Sequence, residues 1–179
     1  MGKRWIFSAA LALASVPGAA FAQDGAKLDC ISATAGSDLK SGLGAAMSRG
    51  EDAGVHDALF EQLAAIAKGC ASKHGVGDPL QEAYFNYGLA RIARDWLTGE
   101  IAKASLSTGP VDKALDFGIN GANPDLTNDM GDDAIMAIIT AYQDAGVDVD
   151  AIDQSVWEKV GAYAAATSIY WTNRKKLAP

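Results

Sequence analysis

The chain has 179 residues, 49% of them apolar, and 15 basic against 22 acidic residues give it a net charge of −7. An acidic surplus repels phosphate backbones and anionic headgroups, which argues against a nucleic-acid partner. Apart from a short N-terminal run, no segment approaches the roughly 20 apolar residues of a membrane-spanning helix.

The N-terminus has the layout of a cleavable secretory signal: Lys3 and Arg4, an apolar stretch over residues 6–16, and the small-x-small site Ala20-Phe21-Ala22. The expected division is a signal peptide over 1–22 and one helical domain over 23–179, periplasmic or secreted. Without Lys3 and Arg4 the mature chain keeps 13 basic residues against 22 acids, a net charge of −9. Cys30 follows Lys27-Leu28-Asp29, a poor context for lipid attachment, so no membrane insertion after cleavage is expected. A chain of this size can bury a substantial core in a single domain.

Periodicity predicts only helices. The first spans 37–49, capped by Ser37 or Asp38, with Leu39, Leu43 and Met47 in line. A break over 50–54 leads to a second helix, 55–73, with Leu59, Leu63 and Ile66 inward and Phe60 beside them, ending at Gly75 and Gly77. Asp78-Pro79 reads as an N-cap and a proline at the first helical position, opening a long helix to about residue 105 with the stripe Phe85, Leu89, Ile92 and Trp96. After Gly109-Pro110 come a short segment, 111–117, and a polar loop.

The next helix, 133–145, is apolar on nearly every side, which suits the centre of a bundle. Gly146-Val147 then supplies a left-handed stop. A last helix, 150–176, carries Ile152, Val156, Val160, Tyr163 and Thr167 inward with Trp157 and Trp171 flanking. Its terminal Arg174-Lys175-Lys176 complements the helix dipole. The expected fold is an all-α, single-domain bundle of five or six helices with one disulfide.

Cys30 and Cys70 form an even pair in an exported domain and are expected to be bridged. The competing reading makes Cys70 and His74, four residues apart, a nucleophile and base or two metal ligands. No second ligand cluster supports it. Ser37-Asp38-Leu39-Lys40 matches the S-x-x-K of penicillin-recognising enzymes, but the S-D-N and K-T-G elements are missing. No G-x-S-x-G, H-E-x-x-H or glycine-rich phosphate loop occurs, so neither cofactor nor metal is expected. The loop 120–133 is rich in oxygen ligands, yet with Gly131 at the sixth position Leu126 falls at the first, against the EF-hand register.

Tyr84, with Gly88 four residues on, resembles the W-x-x-L-G opening of a tetratricopeptide-repeat helix, and Trp157-Glu158-Lys159-Val160-Gly161 repeats that spelling. Residues 84 and 157 are 73 apart, not a multiple of the repeat's 34 residues, so the likeness implies close helix approach at two glycines, or a repeat-like peptide groove.

Tyr84, Tyr87, Arg91 and Arg94 form the candidate binding surface, aromatic and guanidinium groups a turn apart suiting a protein or peptide partner. The sequence thus favours an exported binding or accessory module. An envelope hydrolase using carboxylates gathered by the fold, or a calcium-stabilised module, are the other expectations.

Overall fold

Two long helices organise the molecule because each is buried on more than one side. The computed structural model describes residues 18–49, 53–127 and 129–178. Among these are seven α-helices, two 3-10 turns and no strand. They are α1 (Gly18–Thr34), α2 (Ser37–Arg49), α3 (Ala53–His74), α4 (Gln81–Lys103), α5 (Gly109–Ala114), α6 (Asp132–Asp144) and α7 (Gln154–Leu177), with 3-10 turns at Asp78–Leu80 and Val149–Ala151. No helix among the described residues is long and apolar enough to cross a membrane.

α4 and α7 pack antiparallel and span two core clusters. The first half of α4 (Tyr84, Tyr87, Ile92) joins the end of α7 (Tyr170, Leu177) and α1 to α3. The second half of α4 (Leu97, Ile101) joins the start of α7 (Val160, Tyr163), α5 and α6. Small residues permit this: Ala83, Ala90 and Ala93 on α4 and Ala164 and Ala166 on α7 are all buried. At Gly44 a Cβ would stand 2.3 Å from Trp96 Cγ, so α2 lies directly on the α4 indole.

The six sequence-predicted helices correspond to α2 through α7. The seventh, α1, runs through Ala20-Phe21-Ala22 and past Cys30, where no helix was expected. Distant partners hold it: Ile31 is fully buried, and Tyr84 Oη donates to the Lys27 carbonyl at 2.6 Å. Residues 1–17 of the expected signal sequence, 1–22, and part of the break at 50–54 lie outside the described residues.

Other expectations need correction. α6 is peripheral, packing mainly on α5; Ile138 and Tyr142 are buried, while Ile135 is 44% and Met136 57% exposed. An apolar-rich helix is not a central one when nothing covers its outer face. Gly77, not Asp78, precedes the turn before α4, and Asp78 Oδ1 instead accepts from Gln81 Nε2 at 2.8 Å. Ser37 is the first residue of α2, and the Gly36 carbonyl accepts from the Lys40 amide at 3.0 Å. The stops at Gly75 (φ +64) and Gly146 (φ +80) are left-handed as expected, and the Val147 amide returns to the Tyr142 carbonyl at 3.0 Å.

Candidate functional site

The α1–α3 contact is fastened covalently. The Cys30 and Cys70 sulfurs lie at bonding distance, 2.08 Å, so neither is a thiolate for catalysis or metal binding in this form. Ser37 Oγ lies 3.3 Å from Asp38 Oδ1, a bond within its own turn. In and just before the oxygen-rich loop, Asp116, Asn123 and Asp125 spend their side-chain acceptors locally. Asp116 Oδ2 accepts from the Ala122 amide at 2.7 Å, Asn123 binds the backbone of Gly118 and Gly121, and Asp125 Oδ1 accepts from Thr127. Among the described residues no three His, Cys, Asp or Glu side chains gather as a metal site.

A cleft of about 600 Å³ opens where α1, α4 and the end of α7 meet, a size that suits a small ligand or a few side chains. α4 contributes Tyr87, Arg91 and Arg94, α7 contributes Tyr170, Trp171, Arg174 and Lys175, and Ile119 stands at the edge, 68% exposed. Three of the four sequence-chosen surface residues therefore line one cavity. The fourth, Tyr84, is fully buried and anchors α1. Tyr87 is also buried, its ring 5.0 Å from that of Tyr170. The tyrosines are walls and struts, not an exposed surface, because α1 and α7 cover the face of α4 that carries them.

The arginines divide into two kinds. Arg91 is ion-paired with Asp29 and donates to the Leu28 carbonyl at 3.3 Å, tying α4 to α1; no ion pair joins it to Asp95. Arg94 Nε donates to Thr167 Oγ1 at 3.1 Å and Tyr163 Oη at 3.3 Å, and Nη2 lies 3.7 Å from Asp112 Oδ2. Burial opposes the Arg94 charge, but Tyr163 and Asp112 more than offset it and hold the group above its ordinary value. Arg174 stacks over Trp171 at 5.4 Å and donates to Tyr170 Oη at 3.3 Å. Among the described residues neither Arg174 nor Lys175 has a carboxylate within ion-pairing reach.

Burial, then the adjoining Tyr170 hydroxyl, pushes the Tyr87 phenol up to about 12. It stays protonated at neutral pH and adds no negative charge to the cleft. The Trp171 indole N–H is buried without a hydrogen-bond partner among the described residues. Sequence reasoning treated the terminal basic cluster only as a dipole complement. The overlooked signal was spacing: Trp171 and Tyr170 precede Arg174 by three and four residues, on one helix face.

No family model, curated protein sequence or solved structure matches this chain.

Proposed function

We propose that this protein is an exported binding or accessory module whose cleft between α1, α4 and α7 receives an acidic segment of a protein or peptide partner. The observation that carries the reading is that, among the described residues, Arg174 and Lys175 stand beside Trp171 and Tyr170 without a carboxylate of their own, in a chain whose net charge is −7. A guanidinium already stacked on an indole is oriented before a ligand arrives, so less freedom is lost on binding a carboxylate. Arginine, tryptophan and tyrosine are also the side chains that concentrate binding energy at interfaces.

Binding is favoured over hydrolysis. The two carboxylates of the cleft, Asp29 and Asp95, are exposed, and Asp29 is engaged by Arg91. The disulfide suits an oxidising compartment, which supports export together with the signal-like N-terminus.

Calorimetric titration of the mature chain with a synthetic peptide rich in Asp, Glu and Phe tests the proposal. Binding should weaken with salt and fall about tenfold or more in an Arg174→Ala, Lys175→Ala variant. Equal affinity for the Asn/Gln version of the peptide would refute it.

A further inference from the structure

Beyond residue 22, the net negative charge of this chain comes from one part of it. Between residues 121 and 158 there are nine acids and no Lys, Arg or His, whereas the rest of the sequence beyond residue 22 is balanced at 13 acids to 13 bases. That segment folds as the loop before α6, α6 itself, the turn Val149–Ala151 and the first residues of α7. It therefore carries nine acids on one part of the fold, with Lys159 adjoining it on α7 and Lys113 on α5, the helix that α6 packs against.

The same end holds a second cavity. A groove of about 380 Å³ lies between α6 and α7, lined by Met130, Ile135, Ile138, Ile139, Trp157 and Val160, with Gly161 opening its floor. Ile135 stands half out of it, and Met136, its neighbour on α6, is more exposed still. These two are half of the four large apolar side chains exposed among the described residues. The groove is almost wholly apolar, while Asp132 and Asp133, one turn ahead of Ile135, and Glu158, next to Trp157, are exposed.

Gly161 explains why the space exists. In the tetratricopeptide-like spelling this glycine would mark a close helix contact, as Gly88 does against Ile31. Here, among the described residues, an added Cβ would meet only Met130 Cε, at 3.8 Å, so the missing side chain leaves a hollow.

We infer that the groove between α6 and α7 docks an amphipathic helix of a partner protein, with an apolar stripe seated on Ile135, Ile139 and Trp157 and basic residues facing the acidic surroundings. Two helices with an apolar seam take a third through anchors at i, i+3, i+4 and i+7. Met130 and Trp157 give the seam adaptable, high-area contacts. The acidic field selects for cations in the partner and repels anionic bilayer surfaces. This site takes charge opposite to that of the α1–α4–α7 cleft, and the inference does not rest on the proposal made for that cleft.

The test uses the mature protein and a labelled Leu/Lys peptide of about 18 residues, long enough to form a helix, with leucines at helical spacing. A peptide of the same composition in scrambled order is the control. Fluorescence anisotropy should show the ordered peptide binding about tenfold or more tightly than the scrambled one. Ile135→Asp, at a half-exposed position, and Gly161→Leu, which fills the hollow, should each weaken it about tenfold; Arg174→Ala should leave it unchanged. Melting curves identify a variant that fails to fold, in which case the other decides. Absence of binding, equal affinity for the scrambled peptide, or indifference to the folded variants would overturn the inference. So would a dimer of the protein alone that Ile135→Asp disperses, since the groove's occupant would then be a second copy.

Discussion

Arg94 and Tyr163 are joined across the α4–α7 interface, with Arg94 Nε donating to the Tyr163 hydroxyl at 3.3 Å and the guanidinium carbon 5.6 Å from the ring centroid. Tyr163 in turn donates to Asp112 Oδ1 at 2.9 Å, so one guanidinium orders side chains from three helices. Removing it leaves Asp112 and Tyr163 without their cation. Arg94→Ala is expected to cost about 2–4 kcal/mol of stability, the range for breaking a partly buried charged network. Arg174→Ala, whose side-chain bonds among the described residues lie within α7, should cost under about 0.5 kcal/mol. Chemical denaturation of the two variants checks the contrast, and equal losses would erase the distinction between strut and ligand-facing cation.

Gly88 sets the distance between α1 and α4. A Cβ there would fall 2.7 Å from both Cδ1 and Cγ2 of Ile31, which is fully buried. Gly88→Ala gains about 1 kcal/mol of helix propensity but must displace a packed side chain, at about 1–3 kcal/mol or more. The expected outcome is a net loss, partly relieved by adding Ile31→Val. A double-mutant cycle reads the coupling directly. Additive effects would mean that α1 does not rest on Gly88.

The Cys30–Cys70 bridge closes a loop across 40 positions and ties α1 to α3. On the chain-entropy estimate it contributes about 4 kcal/mol. Cys30→Ser with Cys70→Ser should lower the melting temperature and speed amide exchange in α1 first, because the bridge is the covalent tie that holds α1 to α3. Two alkylatable thiols in the native, oxidised protein would contradict the bridge.

What could be read from the chain and what could not divide along physical lines. α2 to α7 were legible because breakers surround them and their apolar residues recur at helical spacing; Gly75 and Gly146 do adopt positive φ. α1 was invisible because its stabilising partners, Gly88, Tyr84 and Cys70, lie 40 or more residues away. Periodicity also failed to rank helices by depth. Ile135 and Met136 look like core residues in a sequence, and only packing reveals that nothing among the described residues covers them. Of the cleft, Tyr87, Arg91 and Arg94 were picked out from one helix, but Trp171, Arg174 and Lys175 reach it only through the antiparallel pairing of α4 with α7.

That pairing also predicts how stability responds to alkali. Tyr87 is pushed up to about 12, by burial first and then by Tyr170, with Arg91 and Arg174 pulling the other way; burial, then Tyr163 and Asp112, push Tyr142 up to about 12 as well. An unfolded chain releases phenolic protons near pH 10, so between about pH 10 and about pH 12 the folded protein binds more protons than the unfolded one. The stability these groups contribute is fully present below about pH 10 and is lost as pH rises through about 12. Melting curves should fall across that window, less steeply in Tyr87→Phe, while ultraviolet absorbance shows a late-ionising fraction among the five tyrosines. If all five ionise together near pH 10 with the helical signal intact, the tyrosines of the α4–α7 interface are not buried as described.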